Sequence, residues 1–230
     1  MKLIRRWCFT ILLVSTGCAP IQLDPPLPSP YPLHIGITPL IRDLYHEDLY
    51  RCAANNSHFV LILDTTPSRK LDLESSDMII QLGEPDGGLS YFAAQIGLEQ
   101  IVLIASPDVD VSFLTVELIK DQFTALKPRY SIWTYPANHE IEQFFSKLIL
   151  HGEDQSPYTQ LVPNPEAMIE ILSSTETSIG YSIGSYIDDD LEIIPIDPAL
   201  QDSLKQPVLL ITKQEPQGEI RNFVSCLQGN

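Results

Sequence analysis

IVLIASP at residues 101–107 and FLTVELIKDQFTA at residues 113–125 carry the pattern that sets the fold class. The first is an apolar run of five closed by Ser106 and Pro107, the form of a strand buried on both faces. In the second, Val116, Ile119 and Phe123 recur at helical spacing, so Val111–Ala125 reads as an amphipathic helix. A buried strand feeding such a helix is the repeating unit of an α/β protein.

Upstream, Leu33–Ile37 reads as a short buried strand running into Thr38-Pro39, a cap followed by a first-turn proline. Ile41, Leu44, Tyr45, Leu49 and Cys52 then mark a helix. Phe59–Leu63 and Met78–Leu82 are strands, each closed by a polar turn: Asp64-Thr65-Thr66-Pro67-Ser68 and Gly83-Glu84-Pro85-Asp86-Gly87-Gly88. Tyr91–Ile96 and Gln100–Ala105 read as two further strands. Downstream, Ser131–Tyr135 is a strand and Ala137–His151 a strongly amphipathic helix. Asn164-Pro165-Glu166 opens another helix, through Leu172. Ser178–Ile183, Leu191–Ile196 and Pro207–Thr212 are strands, Asp188–Asp190 is a solvated turn, and Gln217–Leu227 is a closing helix.

The order of these elements resembles the periplasmic substrate-binding proteins of ABC importers, in particular the phosphate-type group. Residues 101–107 and 113–125 look like that family's crossover strand and the helix after it, with Asp121, Phe123 and Trp133 in place and Ala125 where a glycine is usual. MIEILSSTETSIGYSIGSYI at residues 168–187 resembles the block that ends the second lobe. Leu191–Pro195 resembles the return crossover, and Pro207–Leu227 the terminal strand and helix. The resemblance implies an α/β, two-lobed fold with two crossover strands: lobe I from residues 33–105 and 191–230, and lobe II from residues 106–190. It also implies a solute held between the lobes and handed to an ABC permease.

In such a fold the loops at the carboxyl ends of the strands face the crevice, where helix N-termini offer free N–H groups. That places Thr38, Thr65, Thr66 and Gly83 on one side and Tyr135, Asn138 and His139 on the other as candidate ligand-binding residues. Several have a plainer role open to them: Thr38 and Asn138 as helix caps, Thr65 and Thr66 as turn residues, His139 as a solvated first-turn residue. The phosphate-binding members hold their anion with an arginine and a Ser-Gly-Thr turn at the start of the second-lobe helix. Here that place reads TYPANHE at residues 134–140, without either. The anion ligands are not retained, and the expected solute is another small molecule; an oxyanion is the weaker alternative. A rival from another class is a surface lipoprotein that keeps the fold as a scaffold for protein contacts.

The N-terminal residues add a location. Lys2, Arg5 and Arg6 precede an apolar stretch, WCFTILLV at residues 7–14, and then Ser15, Thr16, Gly17 and Cys18. Eight apolar residues are too few to span a bilayer, so residues 1–17 read as a signal peptide. Small residues before a cysteine resemble the bacterial lipobox, with Ser15 where leucine is usual, which makes Cys18 the lipidation candidate. Residues 18–32 form a linker with six prolines, a spacer that extends about 3 Å per residue. Extracytoplasmic attachment to a membrane through lipid follows as an expectation.

Removing residues 1–17 takes the formal net charge from −16 to −19, which disfavours nucleic acid as a partner. Cys8 leaves with the signal. Cys52 and Cys226 remain, either paired in an oxidising exterior or buried as free thiols. The histidines at 34, 46, 58, 139 and 151 are scattered, and no H-E-x-x-H, C-x-x-C, G-x-S-x-G or P-loop occurs. The expectation is a binding protein with no metal and no cofactor, not an enzyme.

Overall fold

The computed structural model describes residues 30–55, 58–66, 72–85 and 91–229. The signal peptide, Cys18 and residues 18–29 of the linker lie outside the described residues. So does most of the turn after Thr66.

In chain order the elements are β1 (Tyr31–Ile37), α1 (Pro39–Ala54), β2 (Phe59–Thr65), β3 (Met78–Leu82), β4 (Phe92–Ala105), α2 (Val116–Thr124), β5 (Ser131–Thr134), α3 (Glu140–Leu148), β6 (Gln160–Leu161), α4 (Pro165–Ser174), β7 (Ser178–Ile183), β8 (Glu192–Ile193), α5 (Pro198–Ser203), β9 (Lys205–Thr212) and α6 (Gly218–Leu227). The strands join in the order β2-β1-β3-β9-β4-β7-β5-β6, with β8 beside β4.

β4 belongs to both halves of the molecule. Its first part, Phe92–Gln100, runs antiparallel to β9, and its second part, Ile101–Ala105, runs antiparallel to β7 and β8. The chain passes from the first half to the second along β4. It returns beside β4, where Ile194 N donates to the Leu103 carbonyl (2.9 Å), and re-enters the first half through α5 and β9. This is the two-lobed architecture with two crossing segments that the order of elements implies.

One apolar cluster runs through both lobes, with Ile101–Ala105 of β4 among its members. Leu33, Ile35, Ile37, Leu49, Met78, Ile80, Leu210 and Phe223 are buried in the first, and Ile132, Phe123, Phe145, Met168, Leu172 and Tyr181 in the second. The Phe145 and Tyr181 rings stack at 3.8 Å, with Phe123 tilted against both. Full burial of one such ring contributes about 1.5–3 kcal/mol, so these three anchor the second lobe. In the first lobe Cys52 of α1 and Cys226 of α6 form a disulfide, with Cα atoms 5.7 Å apart.

The structure corrects several element boundaries. Tyr91–Ile96 and Gln100–Ala105 are one strand, because residues 98–100 stay paired with β9 and only a bulge between Gln95 and Gly97 interrupts it. A Cβ at Gly97 would lie 1.8 Å from the Tyr45 hydroxyl oxygen, so any larger residue there displaces the Tyr45 ring. The helix expected over Val111–Ala125 breaks in two. Asp110 caps a 3-10 turn at Val111–Phe113, and Thr115 then caps α2 by accepting from Leu118 N. α3 is shorter than Ala137–His151, since His139 N closes a turn onto the Pro136 carbonyl before the helix begins. Leu191–Ile196 keeps only two strand residues. The short helix α5 was not expected, although its start, Asp197-Pro198, repeats the Asn164-Pro165 signal. β1 begins at Tyr31, two residues early. Pro32 is tolerated because β3 pairs only with Ile35–Ile37 and leaves the front of β1 open on that side.

Candidate functional site

Three helix starts meet where the lobes face each other. β1 delivers Thr38 and Pro39 at the head of α1, β5 leads to His139 at the head of α3, and Asn164 heads α4. They enclose a cavity of about 270 Å³ lined by Thr38, Asp43, Asn138, His139, Glu140, Asn164 and Tyr186, together with Pro39, Leu40, Pro136, Pro163 and Pro165. The lining holds two carboxylates, Asp43 and Glu140, and no lysine or arginine.

Glu140 crosses from the second lobe to the first. It is 4% exposed. The Thr38 hydroxyl donates to its Oε2 at 2.5 Å, and the Leu82 backbone N–H donates to its Oε1 at 3.2 Å. Thr38 makes no side-chain cap to its own helix, and no acidic residue stands in the first turn of α1. The carboxylate that complements this helix N-terminus therefore comes from the other lobe. One turn further along α3, Phe144 also reaches the first lobe. Its ring lies where a side chain of Gly83 would be, with Cζ 2.2 Å from an ideal Cβ. Residues i and i+4 share a helix face, so one face of α3 docks on the end of β3. Its other face, with Ile141 and Phe145, is buried in the second lobe.

Glu142 is the second buried carboxylate of α3. It accepts from Thr134 Oγ1 (2.9 Å), from Gln155 Nε2 (2.6 Å) and from the Tyr181 hydroxyl. Burial raises its carboxyl above the usual range, against the hydrogen bonds from Tyr181, Thr134 and Gln155. Tyr186 is raised above the usual tyrosine range by burial first, then by the Glu166 carboxylate, with Asp43 and Glu99 adding to it.

Of the sequence candidates, the structure brings Thr38, Asn138 and His139 together around the cavity. Tyr135 is buried: its ring stacks on His139 at 4.4 Å and its hydroxyl donates to Ser182 Oγ at 3.4 Å, inside the second lobe. Thr65 ends β2, the outermost strand of the first lobe, Thr66 follows it, and neither lines the cavity. Gly83 adopts φ +70° and donates its N–H to the Pro207 carbonyl at 2.7 Å, beneath the Phe144 ring. Sequence reasoning missed Glu140, Asp43, Asn164 and Tyr186 as cleft residues. The available signal was a glutamate standing within the stretch where anion donors were sought.

His139 yields a pH prediction. Its Nδ1 accepts from Ile141 N (3.3 Å), and burial lowers its pKa from 6.5 to about 4. The folded state therefore favours neutral imidazole, while the unfolded chain takes up a proton below 6.5. Stability from this group is complete above pH 6.5, falls as the pH drops toward 4, and levels off below. The loss is at most about 3 kcal/mol. Glu142, raised by burial, acts in the opposite sense, so the effect is read as wild type against His139→Asn, which keeps a capping side chain. Urea midpoints should show wild type losing ground to the variant between pH 6.5 and 4. A constant difference across that window contradicts the assignment.

No protein-family model matches the chain, and no curated protein matches it. Solved structures do. An ABC-type phosphate transport receptor from Vibrio cholerae superposes with a TM-score of 0.70 at 13% identity, over 85% of this chain and 93% of the other. A putative phosphate ABC transporter substrate-binding protein from Clostridium perfringens, solved with bound phosphate, gives 0.70 at 16% identity, over 85% and 92%. The fold is the two-lobed periplasmic-binding fold. The regulatory domain of MetR, a LysR-family regulator from N. meningitidis, also matches, with a TM-score of 0.67 at 15% identity over 86% and 92%. Transport receptors and regulator domains thus share the periplasmic-binding fold, and function has to be argued from the cleft. Among the described residues no helix is long and apolar enough to cross a membrane, and no group of three or more His, Cys, Asp or Glu side chains is placed to hold a metal ion.

Proposed function

We propose that this chain is an extracytoplasmic, lipid-anchored solute-binding protein for an ABC importer, and that it captures a small neutral or cationic solute between its lobes. One observation carries the reading: the interlobe cavity has amide, hydroxyl, imidazole and carboxylate groups around it and no cation. A free dianion there would face the Glu140 carboxylate, and the guanidinium beside the lining, Arg42, is already engaged by Asp43 at 2.7 Å. Hydroxyl-rich or amine-bearing solutes find both donors and acceptors. The work is capture and hinge closure, with lobe I taken as residues 33–105 and 191–230 and lobe II as residues 106–190. The linker at residues 18–32 keeps the domain within reach of its permease while Cys18 holds the membrane. An unmodified Cys18 in the mass of the mature N-terminus would reject the anchor.

The likeness of fold to phosphate receptors accommodates transport, and the composition of the cleft argues against phosphate itself. The experiment is a thermal-shift panel of sugars, polyols, amino acids and amines on the mature protein. A true solute at 100 times its Kd adds about 2.7 kcal/mol of stability. No shift with any member of the panel rejects solute capture. It then favours the scaffold reading, which the Glu140 and Phe144 contacts between the lobes also support, since they tie α3 of the second lobe to the first.

A further inference from the structure

We infer that Glu140 is a built-in ligand: its carboxylate occupies an oxyanion seat between the lobes, shuts that seat to free anions and ties the lobes together. The inference goes beyond solute capture and holds whatever else the cleft takes.

Three features make the position a seat. The Thr38 hydroxyl and the Leu82 N–H come from different elements of the first lobe and converge on the two oxygens of one carboxylate. The seat lies at the N-terminus of α1, a helix of 16 residues whose partial positive end has no acid of its own in the first turn. Thr38 is 1% exposed and directs its hydroxyl away from its own helix, and among the described residues that hydroxyl donates to the carboxylate. A threonine cap that abandons its helix for a group 102 residues away marks a site built to receive an anion. The occupant belongs to the chain. It arrives on the rigid α3 helix, whose Phe144 fixes the same face against Gly83.

The occupant is covalently held, so its local concentration at the seat far exceeds that of any dissolved anion. Free oxyanions are excluded by displacement and by charge. The same bond fastens α3 of the second lobe to α1 and β3 of the first.

Glu140→Ala in the mature protein tests this, because it removes the equivalent of one acetate molecule. The unfolding equilibrium should shift toward the unfolded state by about ten- to hundredfold, the usual scale for hydrogen bonds to a charged group. Acetate or formate should restore a large part of it at concentrations that leave wild type unchanged, and inorganic phosphate or sulfate should stabilise the variant more than wild type. Small-angle scattering should show a wider variant that contracts again with acetate. A folded Glu140→Ala protein that ignores all four anions overturns the inference, as does a wild type that responds equally.

Should Glu140→Ala not fold, the cycle of Thr38→Val with Glu140→Gln replaces it. Non-additivity of about tenfold in the unfolding equilibrium is expected, and additive effects overturn the inference. Failure here is separable from failure of solute capture. A wild type blind to every solute alongside an acetate-rescued Glu140→Ala keeps the seat and rejects transport. A solute-responsive wild type alongside an additive cycle does the reverse.

Discussion

Replacing Cys52 and Cys226 together by alanine lowers the stability of the mature protein by about 3–5 kcal/mol. The bridge spans a sequence separation of 174 residues. In the chain-entropy view a loop of that size costs the unfolded state about 5 kcal/mol, which is an upper figure. The bridge joins α1 to α6, so the entire second lobe lies inside the loop. If the second lobe stays folded while the first opens, the effective loop is shorter and the gain smaller, which sets the lower end. For a domain of this size the fall in Tm should be roughly 10 °C. Thermal scans with and without a thiol reductant check it, and the reduced wild type should match the double variant. An unchanged Tm in reductant would show that packing of α6 on α1 alone holds the chain's end.

Gly83→Ala is the second large effect, about 3 kcal/mol. Two costs add. At φ +70° an L-residue is strained by roughly 1–2 kcal/mol. The new methyl would also stand 2.2 Å from Phe144 Cζ, which is itself buried, and such overpacking costs about 1–3 kcal/mol. Because the atoms met are the tip of the Phe144 ring, relief comes by displacing that ring or the α3 face that carries it. Denaturant titration of Gly83→Ala in wild-type and Phe144→Leu backgrounds separates the two costs. In the Leu background only the backbone strain should remain. Equal losses in both backgrounds would place the Phe144 ring elsewhere than against Gly83.

Much of the fold is written locally. Thr38-Pro39 and Asn164-Pro165 announce their helices, and the apolar runs at residues 78–82, 101–105 and 178–183 announce strands buried on both faces. The crossing at residues 101–105 was legible because a strand shared by two lobes is apolar whichever neighbour it has. The cleft was less legible. Thr65 and Thr66 follow a strand like the others, but strand order puts β2 outermost, and order is not a local property. Tyr135 follows β5 in the place of a ligand-facing residue, yet a large ring beside Tyr181 gains more from burial than from facing the gap. Glu140 shows the limit most clearly. As one more acid in the first turn of an amphipathic helix it looks like a dipole partner for α3 itself. Its role depends on Thr38 and Leu82, which only the folded chain brings within hydrogen-bond reach.

Titration calorimetry of inorganic phosphate into the phosphate-stripped, mature wild-type protein reaches the centre of this account. A cleft whose oxyanion seat is already taken by Glu140, and whose walls carry no cation, should give no binding heat up to millimolar phosphate. A saturable signal with a micromolar Kd would mean that Glu140 yields its place to a free dianion, and the account of the cleft would fall.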